Sequence, residues 1–207
     1  MSRGNLRHFI ELCHQAIVKA EDSLDDFSPA DPIPIDIQAK ATKYTSKLEL
    51  DKIADLGAHG NLLKRIALRF GILFLNSQAR KSQSEPEVNH FSIPISGLAS
   101  LDKESRKLLN ECLVWSVLFE EASTKVKSDT NIESYDYILH PVLSSHFGIS
   151  PTKRRKLSLS STDFSTIIKG SDEDFKKLLN NFQKKWKVNE DPYNSEEKNG
   201  IQLSFYD

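Results

Sequence analysis

Apolar residues recur at helical spacing over long stretches of this chain and at period two only over short ones. That pattern defines a mainly α protein with a small β component. Leu6, Phe9, Ile10, Cys13, Ile17, Ala20 and Leu24 follow i, i+3, i+4, i+7 intervals and predict an amphipathic helix from Leu6 to Leu24 with that stripe buried. An acidic, proline-bearing loop, Asp25 to Pro34, follows it. Asp36 is placed to cap a second helix with Ile37, Ala41, Tyr44 and Leu48 on its inner face, continuing through Leu50, Ile53, Ala54 and Leu56. Gly57 and Gly60 bracket a tight connection. Leu62, Leu63, Ile66, Ala67, Phe70, Leu73 and Phe74 then mark a third helix, with Lys64, Arg65 and Arg69 on its polar side.

The stretch from Gln78 to Asn89 is polar, contains Pro86, and reads as a loop. From Asn89 to Ile95 the alternation predicts a short strand, pushed toward a sheet edge by Pro94, which has no N–H for a ladder. Asp102 caps a helix expected to run as far as Glu121, its inner stripe Leu108, Leu109, Cys112, Leu113, Ser116 and Phe119. Tyr135, Tyr137 and Leu139 alternate as a second strand, and Lys156 to Ser160 forms a third. Ser160 to Asp163 has the capping-box pattern of a helix start, and Ser171 to Asp174 repeats it before a helix bearing Phe175, Leu178, Leu179, Phe182 and Trp186. The tail after Val188 is polar and is taken as disordered, with a bound strand through Ile201, Leu203 and Phe205 as the alternative.

Charge narrows the function. The 207 residues carry 28 Lys and Arg against 29 Asp and Glu, a net charge of −1, so any nucleic-acid contact must rest on a local patch. One such patch exists: Lys153-Arg154-Arg155-Lys156, four consecutive cations before a strand, where a wing tip would present them to a DNA backbone. The same run reads equally as a nuclear-localisation signal or as a charged loop that keeps a hairpin soluble. No Gly-x-x-x-x-Gly-Lys-Ser/Thr loop and no Gly-Lys dipeptide occurs, so P-loop binding of a nucleoside triphosphate is not expected and the chain is not expected to be an enzyme. Cys13 and Cys112 fall on apolar helix faces and read as small buried hydrophobes in a reducing compartment. His8, His14, His140 and His146 have no metal-ligand spacing, so no metal or other cofactor is implied, and no apolar run is long enough to span a bilayer.

The start of the first helix carries a resemblance. Gly4-Asn5-Leu6-Arg7 resembles the opening of the lid helix of AAA+ ATPases, specifically the origin-recognition-complex-like and STAND branch. Ile37-Gln38-Ala39-Lys40-Ala41, Gly60-Asn61-Leu62-Leu63, Tyr137 to Pro141, His146 to Ser150 and Arg154 to Leu157 are similar to later parts of such proteins. The resemblance implies that Arg7 is a sensor of the nucleotide's γ-phosphate, that the chain begins near the end of an ATPase module, and that the catalytic core lies elsewhere. It implies a lid-like helix and acidic loop over residues 1–34 and a winged-helix-like helical domain with a short β-hairpin over 35–160. C-terminal helices over 161–187 and a tail over 188–207 complete the division. The partners implied are an ATPase core or another protein, and double-stranded DNA through the basic loop. The compartment implied is the cytoplasm, or the nucleus in a eukaryote. Two alternatives stay open: Arg7 as a solvated arginine in a first helical turn, and the chain as an independent helical interaction subunit whose Gly-Asn-Leu-Arg start is accidental.

Overall fold

A computed structural model describes residues 5–79, 87–122 and 135–186. Gly4 and the tail over 188–207, both singled out in the sequence, lie outside the described residues. The protein is mainly helical with one four-stranded sheet. Helices α1 (Leu6–Ser23) and α2 (Ile35–Lys52) form an antiparallel pair. Two 3-10 turns lead from it into α3 (Gly60–Gln78), the most buried helix. Next come β1 (Val88–Ser92), the short α4 (Ile95–Ser100), α5 (Lys103–Val114), and the antiparallel strands β2 (Leu118–Ala122) and β3 (Tyr135–Leu139). One turn of helix, α6 (Pro141–Ser144), and a 3-10 turn precede β4 (Arg155–Ser158), α7 (Ser161–Lys169) and α8 (Asp172–Trp186).

The sheet order is β2-β3-β1-β4, with β1 antiparallel to β3 and parallel to β4. Phe91 and Tyr137 are register partners, and Phe91 stacks on Phe70 of α3 at 4.6 Å between ring centroids. That aromatic stack joins α3 to the sheet, and one apolar cluster extends from Leu50 to Phe182. Gly71 is required in α3, because any Cβ there would collide with the Phe147 ring.

Several elements differ from the sequence expectation. Of the α1 stripe only Ala20 is buried, alongside His8, because α2 covers the opposite side of the helix; Leu6, Phe9 and Ile10 are 69, 54 and 57 % exposed. Cys13 is exposed, while Cys112 is buried as expected. The cap of α2 is Pro34, not Asp36, and α2 buries Thr45, Ser46 and Glu49 instead of Tyr44. β1 is an interior strand: Pro94 lies beyond its end and caps α4, so it costs the ladder nothing.

Helix α5 stops at Val114, not Glu121. Ser116 takes the left-handed conformation (φ 57°), Val117 N donates to Cys112 O at 2.8 Å and Ser116 N to Leu113 O at 3.2 Å, a Schellman stop built without glycine. Phe119 therefore belongs to a strand. Arg69 is completely buried: its Nη1 donates to Ile167 O and Gly170 O at the end of α7, and its Nη2 pairs with Asp172 at 2.6 Å. The capping box at Ser160 and Asp163 is present as read.

Candidate docking surfaces

The Asn5-Leu6-Arg7 start is built by its own capping chemistry. Asn5 Oδ1 accepts the His8 backbone N–H at 3.3 Å, satisfying a first-turn donor, and Asn5 Nδ2 donates to Ser116 Oγ at 3.3 Å. The cap thus pins α1 to the turn that ends α5. Arg7 Nη2 reaches Glu49 Oε2 of α2 at 2.6 Å, and the pair is asymmetric, with the guanidinium mostly exposed and the carboxylate buried. Lys52 Nζ lies 3.0 Å from the other Glu49 oxygen, and His8 Nε2 lies 3.3 Å from the first. Burial alone would push the Glu49 carboxyl up. Hydrogen bonds from His8, Lys52 and Arg7 outweigh it and hold the group at about 2. Beside this cluster a bowl of about 140 Å³ is lined by Asn5, Arg7, His8, Leu56, Trp115 and Ser116, among others.

The basic run is positioned by β4. Asn89 of β1 holds the loop before it: Asn89 Oδ1 accepts the Arg154 N–H at 2.9 Å, and Asn89 Nδ2 donates to the carbonyls of Ser150 and Thr152. Lys153 Nζ lies 2.9 Å from Glu121 and 3.1 Å from buried Asp136, and Lys156 Nζ lies 3.4 Å from Asp136. Burial pushes the Lys153 ammonium down, but bonds to Glu121 and Asp136 carry it above the usual lysine value. Arg154 and Arg155 are exposed. The run therefore does not sit at the tip of the β2–β3 hairpin, as a wing would. It occupies the opposite edge of the sheet, because β4 adds in parallel beside β1.

Arg7 sits on the α1–α2 side, at the turn leading into β2, so the two groups foreseen in the sequence do not converge on one site. Glu49 and Asp136, which complete these groups, are not singled out in the sequence, and Ser116 is there only as part of a helical stripe. Asp136 had no legible signal: it falls on the polar phase of the alternating strand and is buried because residues of both phases of β3 are covered. Glu49 had none, since it neighbours Leu50 in an amphipathic helix.

A model of the family described as ORC-CDC6-like matches residues 1–159, and the chain belongs to that family. None of the curated proteins and none of the solved structures compared with the chain matches it. Among the described residues no helix is long and apolar enough to cross a membrane.

Proposed function

We propose that this chain is a non-catalytic docking region of an origin-recognition-like ATPase, seated on a nucleotide-binding core that it does not itself supply. The observation that carries this reading is the exposed apolar face of α1 directly beside Arg7. Leu6, Phe9 and Ile10 leave an unpartnered hydrophobic strip on a helix that α2 alone packs along extensively. On docking to the core, Arg7 exchanges Glu49 for the γ-phosphate, a doubly charged anion that a planar guanidinium can grip bidentately. Glu49 keeps Lys52 and His8, so the exchange does not strand a buried charge.

The order α3-β1-α4-α5-β2-β3 supports a winged-helix-like reading of the middle of the chain, with α5 presenting Lys103, Arg106, Lys107 and Asn110 outward. DNA contact is a second reading, favoured by the exposure of Arg154 and Arg155. Such a region works where the origin machinery works, in the cytoplasm or a eukaryotic nucleus.

The test is a titration of the labelled chain with an ORC-CDC6-like ATPase core from the same organism. Micromolar association is expected, abolished by Leu6→Asp with Ile10→Asp, and Arg7→Ala should lower ATPase activity without weakening association. Calorimetry should find no ATP binding to the chain alone. Micromolar ATP binding without a core refutes the reading, and absence of association turns it toward an independent interaction subunit.

A further inference from the structure

We infer that the groove between α1, the acidic loop and the start of α2 receives a cationic amphipathic helix from a partner protein. The groove has a volume of about 670 Å³ and is walled by Phe9, Leu12, Cys13, Ala16 and Ile17 of α1 and by Ile33 of the loop, among others. Its α1 wall runs over the nine residues from Phe9 to Ile17, so it is roughly 12 Å long at 1.5 Å per step. A trough of that length accepts side chains spaced i, i+4, i+7 on one helix face. The wall residues are half-buried or exposed, so the chain's own packing leaves the trough unfilled.

Charge selects the occupant. Between residues 19 and 36 stand Glu21, Asp22, Asp25, Asp26, Asp31 and Asp36 against Lys19 alone, in a chain whose net charge is only −1. Lys19 is placed over the Tyr44 ring, 4.8 Å from its centroid, and Asp36 pairs with Lys40 at 3.5 Å. Among the described residues, Glu21, Asp22, Asp25, Asp26 and Asp31 have no cationic side chain within 4 Å. Glu21 and Asp22 lie in the last turn of α1, where the helix dipole disfavours negative charge and no basic residue offsets it. Asp31 serves the loop locally, accepting the Ser28 N–H at 3.0 Å. The acids stand on the end of α1 and on the loop whose Pro29 and Ile33 wall the trough; they repel nucleic acid and anionic membranes and complement a segment with apolar anchors flanked by Lys or Arg. This inference does not rest on docking of the ATPase core: Phe9 borders both surfaces, but Leu6, Arg7 and Ile10 do not line the groove.

The experiment is fluorescence anisotropy of the full chain with labelled 15-residue synthetic helices. The probe carries Leu at i, i+3, i+4 and i+7 and Lys elsewhere. One comparison peptide replaces Lys by Glu, and another replaces Leu by Ser. The Leu/Lys helix should bind roughly tenfold or more tighter than either comparison, with an affinity that falls as salt rises. Asp25→Asn with Asp26→Asn should weaken it several-fold and flatten the salt dependence. Ala16→Trp, which fills the trough, should abolish binding, with unchanged circular dichroism melting in both variants. Leu6→Asp with Ile10→Asp should leave the peptide affinity unchanged. Equal binding of the Leu/Lys and Leu/Glu helices overturns the proposal, as does full binding by Ala16→Trp or loss of binding in Leu6→Asp/Ile10→Asp alone.

Discussion

At the scale of the residue, Glu49 controls more than its position in a helix suggests. A buried carboxylate held by Arg7, His8 and Lys52 stays ionised in the fold down to about pH 2, whereas in the unfolded chain it protonates near 4.5. A lowered folded-state value contributes stability that is fully present above the unfolded value and disappears as pH falls from about 4.5 toward 2. The difference corresponds to on the order of 3 kcal/mol. Urea denaturation at stepped pH should show this loss, and Glu49→Gln should flatten the curve in that window; an unchanged curve would show that Glu49 is not the linked group. Arg7→Ala should cost less than about 1 kcal/mol in the same assay, because its guanidinium is largely solvated. The helix from Leu6 was legible from its apolar spacing, and its Asn5 cap is the kind of local interaction a sequence can show. Glu49 was not, because its partners come from α1 and from the facing turns of α2, and no spacing rule links residue 7 to residue 49.

Among the elements, α7 and α8 are held in place by one side chain from α3. Arg69 donates to the carbonyl ends of α7 and pairs with Asp172 at the start of α8, with Phe175 5.1 Å from the guanidinium carbon. Asp172→Asn should destabilise the protein by about 3 kcal/mol, because it leaves a fully buried guanidinium without its anion. A loss within measurement error would mean that the carbonyls of Thr166, Ile167 and Gly170 suffice. Gly71→Ala should cost about 1–3 kcal/mol through overpacking against Phe147, and Phe147→Leu in the same chain should recover part of it. Element starts were readable at Asp102 and Ser160, where a side-chain cap precedes the apolar run, but not at α2, where Pro34 and not Asp36 is the cap. The end of α5 was not readable, because Ser116 and Phe119 happen to keep helical phase past Val114, the last residue of the helix. Arg69 was misread for a related reason: periodicity put it with Lys64 and Arg65, but α7 and α8 cover that side of α3 and bury it.

For the whole molecule, the pairing of Lys153 and Lys156 with Asp136 and Glu121 changes what the basic run can offer a polyanion. Lys153 and Lys156 are already paired with carboxylates, so duplex binding should show a log–log salt slope shallower than about −4. Mobility shifts at two salt concentrations would measure it, and Arg154→Gln with Arg155→Gln should remove it while the melting temperature holds. Lys153→Met should instead lower stability by about 1–3 kcal/mol, since it withdraws a donor from buried Asp136. The run was visible in the sequence, but its placement was not, because parallel pairing of β4 with β1 joins strands that no local signal connects. That pairing also has a consequence in time. When β1 leaves the ribosome, both of its sheet neighbours are still unmade; at 5–20 residues per second, Leu157 follows its partner Phe91 by roughly 3–13 s. Until β3 emerges β1 waits with two open edges, and until β4 emerges with one, a template for aggregation. Nascent chains arrested after residue 150 should therefore be held by chaperones or precipitate, whereas chains released after residue 186 should remain soluble.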